Sequence, residues 1–176
     1  ENRTHYYYVV NRQFELAELK LLVDSVQSAK FITAKKSNQL IQKIESLGSR
    51  YEAAQLQRQV YVNRHIKTQN ENIFYNIDQI HIAISKNSTI RFLYYRWNED
   101  KQMILRNDGE FYEVTPWALS WNNESYYLIA YDAKAGIIKH FRVDKMLDIK
   151  VTGHRRKGQY AFRTFDMAVC ARKIFG

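Results

Sequence analysis

Near residue 88 the spacing of apolar residues changes from the three-and-four of a helix to the alternation of a strand, and this change restricts the chain to an α+β fold. Before it, Leu19, Leu22, Val23 and Val26 fall on one helical face, with Glu15 and Glu18 in the first turn, where the helix dipole favours acids. Leu40, Ile41, Ile44 and Leu47 form a second stripe, entered after Ser37 and closed by Gly48. Residues 51–64 are a third, less amphipathic candidate, with Tyr51, Leu56 and Val60 on one side. Asn76 reads as the N-cap of a fourth helix, with Gln79 three residues on and Ile77, Ile80 and Ile84 as its buried face. The run from His5 to Val10 reads as a short extended segment.

After residue 88 the period is two. Ile90, Phe92 and Tyr94 alternate with Arg91, Leu93 and Tyr95. Runs at 101–106, 110–121, 125–131 and 137–142 follow, separated by turn signals at Asn107-Asp108-Gly109, Asn122-Asn123-Glu124 and Asp132 to Gly136. Pro116, the only proline, marks an edge or a bend. Residues 143–147 suit a single helical turn, 148–152 a last short strand and 165–174 a closing helix. Such a meander is expected to close into a small barrel, which removes exposed edges. The chain divides into a helical region, residues 1–75, and a β region, residues 76–176.

Composition narrows the chemistry. One cysteine excludes a disulfide framework, and no apolar run is long enough to span a membrane. The chain starts at Glu1 rather than Met and reads as a piece of something longer. Lys and Arg number 27 against 18 Asp and Glu, a net charge of +9, which favours polyanionic partners. There is no phosphate-binding glycine loop, no nucleophile elbow and no histidine pair at metal-ligand spacing among His5, His65, His81, His140 and His154. Cys170, beside Met167 and Ile174, reads as a small buried hydrophobe. Glu110, Glu113, Asp132 and Asp144 sit at strand ends and turns, where most read as solvated acids. No cofactor, metal or catalytic constellation is expected.

What remains is a set of cations and aromatics on the middle strands: Arg106, Tyr112, Tyr126, Tyr127, His140, Arg142 and Lys145. Phosphate needs guanidinium or ammonium donors, and bases need stacking faces. The competing reading is that the tyrosines fill the barrel and the cations are solvated. A second basic stretch, Lys150 to Arg163, contains Arg155, Arg156 and Lys157 without an acid; it reads as a solvated loop able to touch phosphate.

The segments Tyr112 to Leu119, Ser125 to Asp132 and His140 to Met146 resemble the WYL domain family of bacterial regulators, whose Trp-Tyr-Leu triplet would here be Tyr126-Tyr127-Leu128. Ile90 to Tyr94 is similar to the family's first strand. The resemblance covers about residues 76–152, and residues 12–70 look like a helical linker of one branch. Two positions depart: Tyr126 replaces the leading Trp, and Lys145 replaces the second Arg of an Arg-x-Asp-Arg motif, so the bidentate fork is lost there. The resemblance implies a Sm- or SH3-like barrel acting as a sensor in transcription factors that carry a winged helix-turn-helix. It implies a pocket for a negatively charged ligand, formed by Tyr94, Tyr127, His140 and Arg142 with Tyr126 and Lys145.

The expectation is therefore a cytoplasmic, non-enzymatic, homodimeric regulatory unit. It would bind a nucleotide or single-stranded nucleic acid, and would reach double-stranded DNA through a domain outside these 176 residues. The alternative is a stand-alone single-stranded RNA- or DNA-binding accessory protein, for instance in phage defence. An enzyme such as a nuclease is a third class, separable by a turnover assay with and without divalent metal.

Overall fold

The computed structural model describes residues 13–56 and 67–164. The chain divides into two units, residues 1–69 and 70–176.

In the first unit, α1 (Leu16–Ser28), α2 (Ala34–Glu45) and α3 (Arg50–Leu56) pack around Leu19, Val23 and Leu56, joined by Leu16, Ile41 and Ile44. Each start has a local cause. The Glu15 N–H donates to Glu18 Oε2 at 2.8 Å, and Ser49 and Glu52 exchange side-chain and backbone hydrogen bonds of 2.9 and 3.3 Å. α2 begins earlier than the expected entry after Ser37, because Thr33 Oγ1 accepts the Lys36 N–H at 3.2 Å; Ser37 lies inside the helix, buried. Gly48 does not adopt a left-handed conformation, and α2 ends at Glu45. Leu22, Leu47 and Tyr51, expected on buried stripes, are exposed.

The second unit opens with α4 (Asn72–Ser85), followed by β1 (Ser88–Trp97), β2 (Met103–Leu105), β3 (Tyr112–Asn122), β4 (Ser125–Asp132), β5 (Ile137–Arg142), β6 (Met146–Arg155) and α5 (Gln159–Arg163). One sheet runs β2-β1-β3-β4-β5, and β6 pairs β1 on its other side; every pairing is antiparallel. The result is a curled sheet. A single 3-10 turn at Val143–Lys145 sends β6 back to β1, and among the described residues no ladder joins β5 to β6.

α4 starts at Asn72, so Asn76 is not its cap. Asn76 is buried inside the helix, and its Nδ2 donates to the carbonyls of Met146 at 2.9 Å and Val143 at 3.4 Å. The buried face is Ile73, Asn76, Ile80 and Ala83, with Ile77 and Ile84 only partly covered. Beneath it lies an aromatic cluster. Phe92 stacks on Tyr112 at 5.7 Å, and Phe141 meets Phe92 and Tyr94 edge-on at 5.1 and 5.2 Å. Ile90, Val114, Leu128, Val143 and Met146 complete the core.

The turns follow their residues. Asn123 and Glu124 both take positive φ, closing the β3–β4 hairpin, and Asn107, Asp108 and Gly109 do so between β2 and β3. Pro116 is buried in a central strand rather than at an edge. The ladder shifts register between Pro116 and Ala118, which absorbs the missing N–H. The basic stretch 150–163 is not a loop throughout: β6 runs to Arg155 and α5 begins at Gln159. Leu147, Ile149 and Val151 alternate with polar residues along β6, which extends the strand expected at 148–152 at both ends. The extended segment expected at His5–Val10, the helix expected at 165–174 with Cys170, and the far end of the third helix with Val60 lie outside the described residues.

Candidate functional site

β5 alternates as its sequence requires. Phe141 is buried, and the next residue, Arg142, turns to the other face, opposite Tyr127 in the β4–β5 ladder. The Arg142 N–H donates to the Tyr94 hydroxyl at 3.1 Å, so β1 pins the end of β5 through a ring that is itself buried. Burial pushes the Tyr94 phenol up, keeping it neutral. The Arg142 guanidinium grips Asp144 bidentately, Nε to Oδ1 at 3.0 Å and Nη2 to Oδ2 at 2.8 Å. These hydrogen bonds raise the Arg142 pKa further, and Tyr127 and Tyr94 both lie within its electrostatic reach. Arg142 is 40% exposed and Asp144 32%, so the pair is worth at most about 1 kcal/mol. Asp144 occupies one edge of the guanidinium and leaves the other for a second acceptor.

Other expected site residues are placed differently. Arg106 is exposed; its N–H donates to the Tyr94 carbonyl at 2.7 Å, and its charge reaches the Tyr94 hydroxyl. His140 shares the Arg142 face, opposite Ile129, and burial lowers its pKa, so near neutral pH it is an uncharged imidazole rather than a cation. Lys145 lies partly buried in the 3-10 turn after β5. Tyr112 stacks in the core, with the Lys139 ammonium 6.0 Å from its ring. Tyr126 pairs edge-on with Trp121 at 4.6 Å, on the side of β4 opposite Tyr127. The structure thus gathers Tyr94, Arg106, Tyr127 and Arg142, with His140 one step along β5. Tyr112 meets the Tyr94 ring edge-on at 6.2 Å, and Tyr126 lies on the other side of β4 from Tyr127.

In the basic stretch, Arg156 lies 4.1 Å over the Trp117 ring, whose Nε1 donates to the Lys157 carbonyl at 3.1 Å and whose face stacks on Phe162 at 4.9 Å. Arg156 is therefore a strut, while Arg155 and Lys157 are exposed. Gly158, at φ +81, lets this segment approach Tyr131; a Cβ there would stand 2.2 Å from the ring.

Asp144 is the residue that sequence reading missed. Its carboxylate orients Arg142, and its carbonyl accepts the Tyr95 hydroxyl at 3.1 Å and Asn70 Nδ2 at 3.2 Å. The signal was the Arg-x-Asp spacing inside the quoted motif. Asp132 is likewise not solvated but buried, paired with Lys139 at 2.6 Å. Among the described residues, no group of three or more His, Cys, Asp or Glu could hold a metal ion, and no helix is long and apolar enough to cross a membrane.

A sequence model of the WYL domain matches residues 75–151, which run from α4 to β6 and include Tyr94, Tyr127, Arg142 and Asp144. This segment is a WYL domain. Among solved structures, the chain is similar to proteasome accessory factor B/C (PafBC) of Arthrobacter aurescens. Identity is 18% and the TM-score 0.41, over 88% of this chain and 23% of that one. The chain therefore spans less than a quarter of that protein's length. Comparison with curated proteins finds no match.

Proposed function

We propose that the chain is the regulatory unit of a transcription regulator, and that its WYL domain binds a negatively charged ligand, a nucleotide or single-stranded nucleic acid, on the face that carries Arg142 and Tyr127. The observation that carries this reading is the half-engaged guanidinium. Asp144 fixes its plane, Tyr94 fixes its backbone, and partly exposed Tyr127 lies opposite Arg142 on the neighbouring strand, within its electrostatic reach. The edge that Asp144 leaves free suits a phosphate oxygen, and the tyrosine suits a base or ribose. The basic balance of the whole chain favours the same ligands. In this reading the curled sheet is an Sm- or SH3-like barrel. The return of β6 to β1 after one 3-10 turn supports that view. The unit senses and does not catalyse.

Arg142 tests the proposal. Arg142→Ala is expected to change the melting temperature little, since the pair it removes is worth at most about 1 kcal/mol. It should weaken binding of the ligand found in a panel of nucleotides and single-stranded oligonucleotides by roughly tenfold or more. Arg142→Lys should recover part of the loss, because the charge returns without the fork. Unchanged binding by Arg142→Ala would place the site elsewhere, with exposed Arg155 and Lys157 the next candidates.

A further inference from the structure

β2 stands at the end of the β2-β1-β3-β4-β5 path, and among the described residues it pairs with β1 alone. Its three residues, Met103, Ile104 and Leu105, are all apolar and all exposed. Met103 lies opposite Trp97, also exposed, so the apolar surface continues onto β1. Edge strands of monomers carry lysines, prolines or bulges that keep other strands away. β2 has none of these.

The edge is fixed at both ends. The Asn98 N–H donates to the Gln102 carbonyl at 3.0 Å, and Asn98 Oδ1 accepts the Gln102 N–H at 2.7 Å. Beyond Leu105, the Arg106 N–H donates to the Tyr94 carbonyl at 2.7 Å. Gln102 and Arg106 therefore turn their backbone groups toward β1, and so does Ile104 between them. Met103 and Leu105 turn theirs outward, each an N–H and a carbonyl, placed symmetrically about Ile104.

This arrangement is its own complement. With a second copy antiparallel and the two-fold axis at Ile104, Met103 of each copy comes opposite Leu105 of the other. Every outward N–H then meets an outward carbonyl. Arg106, the only charged residue from 102 to 106, comes opposite Gln102, so no like charges are opposed. An axis at Met103 would set Leu105 against Lys101, and one at Leu105 would set Met103 against Asn107. Both of those residues have left-handed backbones and lie outside the strand.

We propose that β2 is a seam between two copies of this chain, joined strand to strand about a two-fold axis at Ile104. The seam stands independently of the Arg142 reading, and it places a contact between copies in the β unit rather than in the helical one.

The test is thiol trapping on the full chain. Ile104→Cys should give a covalent dimer under copper–phenanthroline oxidation, because Cα atoms at such a pair lie about 4.5 Å apart, within disulfide reach. Gln102→Cys should not, because the two copies of that position would stand about 14 Å apart along the strands. Mass spectrometry locates the bond and separates it from one through Cys170. Ile104→Lys, a change at an exposed position, should keep the fold by circular dichroism. It should raise the dimer dissociation constant at least tenfold in sedimentation equilibrium, because it sets two ammonium groups together on the axis. Failure of Ile104→Cys to trap, equal trapping by Gln102→Cys, or an unchanged dissociation constant in Ile104→Lys would overturn the proposal.

Discussion

Asp132 accepts three hydrogen bonds at the end of β4, two from backbone N–H groups and one from Lys139. Burial alone would raise its carboxyl, but the bonds from Lys139, Ala135 and Lys134 outweigh it and hold the group below the ordinary carboxylate value. A carboxyl depressed in the folded state stabilises the protein above its unfolded value, and that contribution is lost as pH falls through the folded value. Asp132→Asn should therefore melt lower than the parent near neutral pH, by on the order of 1 kcal/mol. The two melting curves should converge as pH falls below about 4, where the parent carboxyl protonates. A constant gap across that range in thermal melts at stepped pH would show that the carboxylate's charge contributes nothing. Nothing in the sequence around Asp132 distinguished it from a solvated turn acid, because its partner Lys139 lies across the turn on the next strand. Arg142 was legible for the opposite reason: alternation against Phe141 is a property of consecutive residues, and the structure keeps it.

Elements were legible where the periodic signal was local. The runs that became β1, β3, β4 and β5 were located by alternation and turn residues, and the single helical turn before β6 by its length. The start of α4 was not, because Asn76 has the chemistry of a cap and is used instead as a buried hydrogen-bond donor. Its amide ties α4 to the carbonyls of Val143, the first residue of the 3-10 turn that redirects the chain, and Met146, the residue after it. Asn76→Ala should leave the Met146 carbonyl buried without that partner and cost about 1–3 kcal/mol. Denaturant melts measure this; a loss within about 0.5 kcal/mol would show that the turn is held by packing alone. The antiparallel meander was legible and is a curled sheet, but the pairing of β6 with β1 was not. Strand count and aromatic content say nothing of which two strands meet last.

At the scale of the whole molecule, the described residues of the helical unit leave several large apolar side chains exposed. Leu19, Val23 and Leu56 are covered, whereas Leu21, Leu47 and Tyr51 are 68%, 54% and 78% exposed. Such surface favours association of two copies, and a homodimer is the expected state by light scattering at micromolar concentration; a monomeric mass would contradict it. The net charge of +9 acts at the same scale, drawing anions to both units before any single residue selects among them. The claim that the WYL domain grips a phosphate-bearing ligand is tested most directly by titrating the intact chain with a single-stranded oligonucleotide across a salt series. The log of the association constant should fall with the log of salt at a slope near 0.7 per phosphate neutralised, and Arg142→Ala should lower that slope by about one such unit. Binding that is absent, or that ignores salt in both proteins, would contradict the account.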